Sequence, residues 1–330
     1  MIGIAILGCG RIAKRHADLL GNGRIAGARL AAVCDVQPAR TKSFANLYRV
    51  PGYDSLAEML AQGDIDAVSI LTPSGLHASH AIEVAHSKRH VIVEKPMALT
   101  LEDASAMICA AESAGVRLFV VKQNRFNVPV LKAREALEAG RFGKLVLGTV
   151  RVRWCRDQAY YDQDSWRGTW ALDGGILSNQ ASHHIDMLSW FMGDVASVHA
   201  RGLTALVHIE AEDTAVATLK FTSGALGVIE ATGAARPKDM EGSISVRTAR
   251  VVTKMAPSDA ITKTMKTPAS FFDADFIETG GKASGSFDPA DNPCGPRCRA
   301  RRSSNRPTSV DKTSHCPCLR RPRGRRRKRG

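Results

Sequence analysis

At 330 residues with 44% hydrophobic content, the chain is long enough for two globular domains with sizeable cores. No run of 18 apolar residues suggests a membrane span, and residues 1–7 lack the basic start of a secretory signal, so a cytoplasmic location is expected. The net charge of +14 is uneven: residues 247–330 carry 20 Lys and Arg against 7 Asp and Glu, whereas residues 1–246 carry 26 against 25. Nucleic-acid binding through a basic surface is therefore not expected of the body, and any such role falls on the tail.

Over residues 1–122 short apolar runs alternate with amphipathic stretches. Strands are expected at Ile2–Leu7, 29–34, 67–71, His90–Val93 and 118–121. Helices are expected at 11–20, Pro38–Tyr48, Leu56–Leu60, 77–87 and Leu101–Ala114. This alternation predicts an α/β domain with a doubly wound parallel sheet. Residues 123–246 have a different texture: a helix near 130–139, a strand at 145–154, a polar aromatic loop at 156–170 and a helix near 183–192. Longer alternating strands follow at Val195–Leu203, Thr214–Phe221 and 226–231, predicting an α+β domain with a mostly antiparallel open sheet.

From residue 247 the patterning stops. Leu, Ile, Val and Phe supply 10 of the last 84 residues, and such a composition with high charge predicts a disordered basic tail. Cys294, Cys298, Cys316 and Cys318 lie there beside His315, but their spacings match no standard zinc finger, so no metal is expected.

Three motifs carry chemistry. Gly8-Cys-Gly10-Arg11-Ile12-Ala13 follows a strand and opens a helix, the setting of a dinucleotide loop. Gly8 permits the turn, Gly10 lets the backbone approach a pyrophosphate, and the helix N-terminus supplies N–H donors. Asp35 ends the second strand, where a carboxylate can accept from ribose hydroxyls and repel a 2′-phosphate, favouring NAD over NADP; Arg40 keeps the second cofactor open. Thr72-Pro73, at the end of the 67–71 strand, borders the same crevice, and His77 near the next helix start reads as a cofactor-side or capping residue, with His80 a surface or capping group. Glu94-Lys95-Pro96 stands beyond the His90–Val93 strand, where α/β sheets bind ligands.

With Gly174-Gly175, His183 and Asp186 added, the combination resembles the Gfo/Idh/MocA oxidoreductases over residues 1–246. The resemblance implies a Rossmann domain plus a substrate and oligomerisation domain, with Lys95, before a cis proline, and His183 as active-site residues. It adds Gln123, Trp166 and Arg167 as further cofactor contacts, the last two reaching from the second domain. Where many members carry an aspartate four residues before that histidine, Asn179 stands here. With residues 122–127 and 151–162, this resembles the branch of UDP-N-acetyl-2-amino-2-deoxy-glucuronate (UDP-GlcNAcA) 3-dehydrogenases of bacterial surface-polysaccharide synthesis. That branch implies a UDP-sugar substrate, 2-oxoglutarate as a cosubstrate that reoxidises NADH, and a homo-oligomer, commonly a tetramer.

A ring hydroxyl oxidised by hydride loss must also lose its proton. His183 suits the base and Lys95 the stabiliser of the alkoxide, although the residues leave the two roles interchangeable. Arg125, Arg153, Arg156 and Arg167 are candidate anion partners, and Asn124, Asn127, Asn179 and Gln180 candidate readers of hydroxyl or amide groups. Another sugar or inositol dehydrogenase of the family is the alternative. From another class, a non-catalytic NAD-binding or nucleic-acid-associated protein remains open.

Family members continue past a segment like residues 241–246 with a glycine turn and more strands, whereas Arg247-Thr-Ala-Arg250 stands here. The reading frame is therefore expected to be lost near residue 247, leaving the second domain incomplete; a genuine basic tail is the rival reading.

Overall fold

In the computed structural model, residues 1–249 and 252–255 are described. The expected disorder of the tail, its cysteines and almost all of the segment after the expected loss of frame lie outside them.

The chain opens with β1 (Ile2–Leu7), α1 (Arg11–Gly21), β2 (Ala28–Cys34), α2 (Pro38–Tyr48), β3 (Gly52–Tyr53) and α3 (Leu56–Leu60). It continues through β4 (Ala67–Ile70), α4 (His77–His86), β5 (His90–Val93), α5 (Leu101–Ala114) and β6 (Leu118–Val120). The six strands form one sheet in the order β3-β2-β1-β4-β5-β6, parallel throughout. Strands so enclosed must be apolar on both faces; all four residues of β4 are buried, and Ala5 and Ile6 of β1 are fully so. Helix α1 lays Ala13, Ala17 and Leu20 against the sheet, a spacing that gives one narrow face of small residues. The Thr100 hydroxyl caps α5 by accepting from the Asp103 N–H at 3.0 Å, and Gly115 ends the helix at φ 71°. The order reverses between β1 and β4, so the crevice beyond their carboxyl ends is the ligand position of such a sheet.

The second sheet is built by β7 (Leu145–Arg153), β8 (Val195–Leu203), β9 (Thr214–Phe221), β10 (Leu226–Thr232), β11 (Glu241–Thr248) and β12 (Val252–Met255). Their order is β12-β11-β7-β10-β9-β8, antiparallel except for β7 against β10. Helix α6 (Val128–Glu138) precedes β7, and α7 (Gln158–Tyr161) and α8 (Ser182–Met192) lie between β7 and β8. Val150, Val152, Phe221, Ile229 and Ile244 pack with Leu188 and Phe191 of α8, while the other face leaves Val198, Val216 and Val228 exposed.

Three details differ from the sequence expectation. The 156–170 loop contains the one-turn α7, capped by the Asp157 carboxylate. A π-turn, Ile176–Gln180, precedes α8. Strand β11 runs past the domain end expected at 246, to Thr248, and pairs with β12, so residues 247–248 and 252–255 belong to the sheet.

Candidate active site

Gly8 and Gly10 divide the work of the dinucleotide loop. Gly8 adopts φ 96°, and a Cβ there would stand 2.9 Å from the Leu71 backbone; above Gly10 the space within 4 Å is open. Arg11 and Ile12 follow as exposed residues of the first turn of α1, which has no acidic side chain and no side-chain cap at Gly10. The donors and positive end of this helix thus face a vacant approach, which fits a pyrophosphate. Asp35 is 7% exposed and accepts from the Cys9 N–H at 2.7 Å and the Gln37 N–H at 2.9 Å, which ties β2 to the glycine loop. These bonds leave further lone pairs on its carboxylate for ribose hydroxyls.

Thr72 and Pro73 follow β4 and lead into the Ser74–Leu76 turn. His77 is 1% exposed. Its Nδ1 lies 2.8 Å from the Pro96 carbonyl and its Nε2 2.9 Å from that of Thr72. Burial holds its pKa below the ordinary histidine value, so the neutral ring donates its single N–H to one of these carbonyls while lying behind both crevice loops. His80 lies behind Thr72, with Nδ1 3.1 Å from its hydroxyl.

Beyond β5, Lys95 precedes Pro96 across a cis peptide bond. Glu94 is 8% exposed, 3.1 Å from His16 Nε2, and accepts from the Lys95 N–H at 3.1 Å. Burial alone would raise its pKa, but those hydrogen bonds and the charges of His16 and Lys95 win and lower it. The Lys95 ammonium donates to the Asn179 carbonyl at 2.7 Å and to Asn179 Oδ1 at 3.3 Å. Burial lowers the Lys95 pKa, helped by Lys122 and Arg167 and opposed by Glu94 and Asp173.

His183 stands in the first turn of α8. Its Nε2 lies 3.0 Å from Gln123 Nε2, and its buried Nδ1 has no hydrogen-bond partner in the described protein. Burial, and then the Lys95 charge, push its pKa down to about 4, so it is neutral at physiological pH. The Gln123 amide donates to Nε2, so the neutral ring carries its proton on Nδ1 and its lone pair on Nε2; beside the Lys95 ammonium, Nε2 is a proton acceptor next to an anion stabiliser.

Trp166 and Arg167 belong to the 156–170 segment. Arg167 donates to Asp164 at 3.1 Å and to the Tyr160 hydroxyl at 2.9 Å, and stacks on both Tyr160 and Trp166. From the same segment Gln163 meets Arg11, and Asp164 lies 3.8 Å from Arg40. Arg156 bonds Gln180 Oε1 at 3.1 Å, and Gln180 in turn donates to Tyr160 at 2.9 Å.

The remaining candidates are engaged elsewhere or stand at the rim. Arg125 makes a bidentate pair with Asp186, at 2.7 and 2.8 Å, and lies over Trp190. Arg153 is held by Glu230 at 2.6 and 2.9 Å on the open face of the second sheet. Strand alternation gives that outcome: Val152 faces the core under α8, so its neighbour faces away. Asn124 lies in the Gln123–Phe126 turn, and Asn127 begins α6 without capping it through its side chain. Sequence reasoning assigned no role to His16 or Asp173. The signal for His16 was its place three residues after Ala13 on the sheet-facing side of α1. For Asp173 it was a carboxylate directly before two glycines, both of which take positive φ.

Residues 2–122 match the family described as "Oxidoreductase family, NAD-binding Rossmann fold", and residues 130–252 match the "GFO/IDH/MocA C-terminal domain". Among solved structures, the WlbA dehydrogenase of Bordetella pertussis in complex with NADH and UDP-GlcNAcA superposes with a TM-score of 0.74 at 45% identity, covering 77% of each chain. Myo-inositol 2-dehydrogenase of Thermotoga maritima is 35% identical over 234 residues, 69% of this chain and 67% of that protein. The oxidoreductase YrbE of Bacillus subtilis is 32% identical over 231 residues, 68% of this chain and 65% of that protein. The chain thus spans about two thirds of the length of these curated relatives. With its glycine loop, its Lys95–Asn179 contact and both domain matches in agreement, the chain belongs to the Gfo/Idh/MocA oxidoreductases, and its first domain is the family's NAD-binding domain.

Proposed function

We propose that this protein is an NAD-dependent dehydrogenase that oxidises the C3 hydroxyl of UDP-GlcNAcA to the 3-keto sugar nucleotide. The observation that carries the chemistry is the Lys95 ammonium gripped by two oxygens of Asn179 in the crevice that His183 enters. The bound nicotinamide supplies the hydride acceptor. His183, neutral and with its lone pair on Nε2 facing the Gln123 amide, takes the hydroxyl proton at Nε2 when the substrate replaces that amide; Lys95, already held as a donor, directs its remaining N–H to the developing alkoxide. Arg156, Gln180 and Tyr160 form a polar wall for the nucleotide sugar. The choice of substrate rests on the 45% identity to a WlbA dehydrogenase that binds UDP-GlcNAcA.

A second reading, a dehydrogenase of inositol or a free sugar, is favoured by the 35% identity to myo-inositol 2-dehydrogenase. NADH formation measured side by side with UDP-GlcNAcA and with myo-inositol separates the two. Turnover of the polyol with indifference to the nucleotide sugar overturns the first reading.

The break in composition after residue 247 supports loss of the native frame shortly beyond β11. Activity is therefore assayed on the chain as written and on a version carrying a family C-terminus after Thr248. Resequencing the gene across this junction decides the point, and an unaltered frame refutes it.

A further inference from the structure

We infer that Asp173 is a positioning residue for Lys95, acting through Asn179 as the carboxylate that position 179 itself lacks. The inference rests on the dehydrogenase reading for its consequence in turnover but not for its geometry. Asp173 is 3% exposed. One of its carboxylate oxygens accepts from the Gly168 N–H at 2.7 Å, and the other accepts from Asn179 Nδ2. An amide bound through its NH2 to a carboxylate has its oxygen turned the other way. That oxygen, Oδ1, is the atom that meets Lys95 Nζ at 3.3 Å, while the Asn179 carbonyl takes a second ammonium hydrogen at 2.7 Å.

The chain of contacts runs Asp173, Asn179, Lys95, with a buried negative charge at one end and a half-buried positive charge at the other. The charged groups around Lys95 are otherwise Glu94, also anionic, and Lys122 and Arg167, both cationic, with neutral His183 alongside. Two cations therefore oppose the ammonium, and Asp173 and Glu94 together offset them. An aspartate placed directly at 179 would bind Lys95 as an ion pair. An asparagine backed by an aspartate keeps the attraction but leaves Lys95 less tightly held and freer to meet a substrate alkoxide. Burial raises the Asp173 pKa, and the Gly168 N–H, the Asn179 amide and the Arg167 and Lys95 charges resist that rise.

The test reads the proton on Lys95 directly. The full-length protein is labelled with an amine-acylating reagent across a range of pH, and the Lys95 peptide is quantified by mass spectrometry. In Asp173→Asn the Lys95 pKa is expected to fall by about one unit, giving about tenfold faster labelling near neutral pH. The Asp173→Asn/Asn179→Asp double variant, which moves the carboxylate next to the lysine, is expected to return labelling to the wild-type rate or below. Labelling in Asp173→Asn that superposes on wild type, or failure of the double variant to reverse the change, overturns the inference. Asparagine keeps an acceptor for the Gly168 N–H. Should Asp173→Asn still fail to fold, Asn179→Asp alone decides: slower labelling of Lys95 supports the inference and an unchanged rate overturns it. A shifted Lys95 profile in a protein that turns over no nucleotide sugar sinks the substrate assignment and leaves Asp173 in its role.

Discussion

The Gly75 N–H donates to the Leu172 carbonyl at 3.1 Å, joining the loop beyond β4 to the segment that carries Asp173. The two lie at the seam between the cofactor domain and the segment that leads to Asn179. A Cβ on Gly75 would collide with the backbone carbonyl of Ala171, and a backbone atom cannot swing aside as a side chain can. Gly75→Ala is therefore expected to cost about 1–3 kcal/mol, seen as a Tm lowered by several degrees. Turnover should fall with it, because the seam fixes Asn179 against Lys95. An unchanged Tm would show that the seam yields freely.

The two loop glycines make opposite predictions for stability and a common one for the cofactor. Gly8 needs its positive φ and touches the Leu71 backbone, so Gly8→Ala should lower both Tm and NAD affinity. Gly10 has φ −83° and open space, so Gly10→Ala should leave Tm unchanged. Its methyl group then occupies the approach of the pyrophosphate, and NADH affinity should fall by about tenfold or more, on the order of 1.4 kcal/mol. Differential scanning fluorimetry paired with NADH fluorescence titration checks both. Wild-type affinity in Gly10→Ala would remove the cofactor from this loop.

The parallel domain was legible because its strands are apolar on both faces and its helices are punctuated by Pro38, Thr100 and Gly115. Lys95 and His183 were legible as motif positions, but their state was not: the low pKa of His183 arises from burial and from a lysine 88 positions away in sequence. The ion pairs of Arg125 and Arg153 were not legible because their acids, Asp186 and Glu230, are 61 and 77 residues distant. Pairing across a fold leaves no local trace. The edge of the second sheet was equally illegible: Arg247 and Thr248 look like tail, yet their backbone completes a ladder with β7.

His184 predicts the acid sensitivity of the fold. It is 1% exposed, both ring nitrogens lack a hydrogen-bond partner in the described protein, and its ring packs edge-on to Trp154 at 5.8 Å. Burial pushes its pKa from 6.5 down to about 4. Between these values the unfolded chain binds a proton that the folded chain refuses, so stability falls as pH drops from 6.5 towards 4. The full effect is on the order of 3 kcal/mol. His184→Phe removes this proton and keeps a ring against Trp154. Its Tm is expected to exceed that of wild type at pH 5 by more than it does at pH 7. Parallel Tm curves for the two proteins would show that His184 does not titrate with unfolding.

Lys95 and His183 are coupled by charge, and that coupling can be read without turnover. Burial is the larger cause of the low His183 pKa and the Lys95 ammonium the next. In Lys95→Met the apolar surroundings remain while the positive neighbour is gone, so the imidazolium is less disfavoured and the pKa must rise from about 4 towards the ordinary value. NMR titration of the His183 ring in isotope-labelled protein measures this, with Gln123 retained as its partner at Nε2. The same variant should lose about 10²–10⁴-fold in kcat with little change in NADH affinity. On the proposed mechanism the ammonium acts on the alkoxide, and the cofactor's pyrophosphate is held by the loop at Gly8 and Gly10. A His183 pKa that stays at about 4 in Lys95→Met would mean that burial alone sets it, and that the two groups do not share one site.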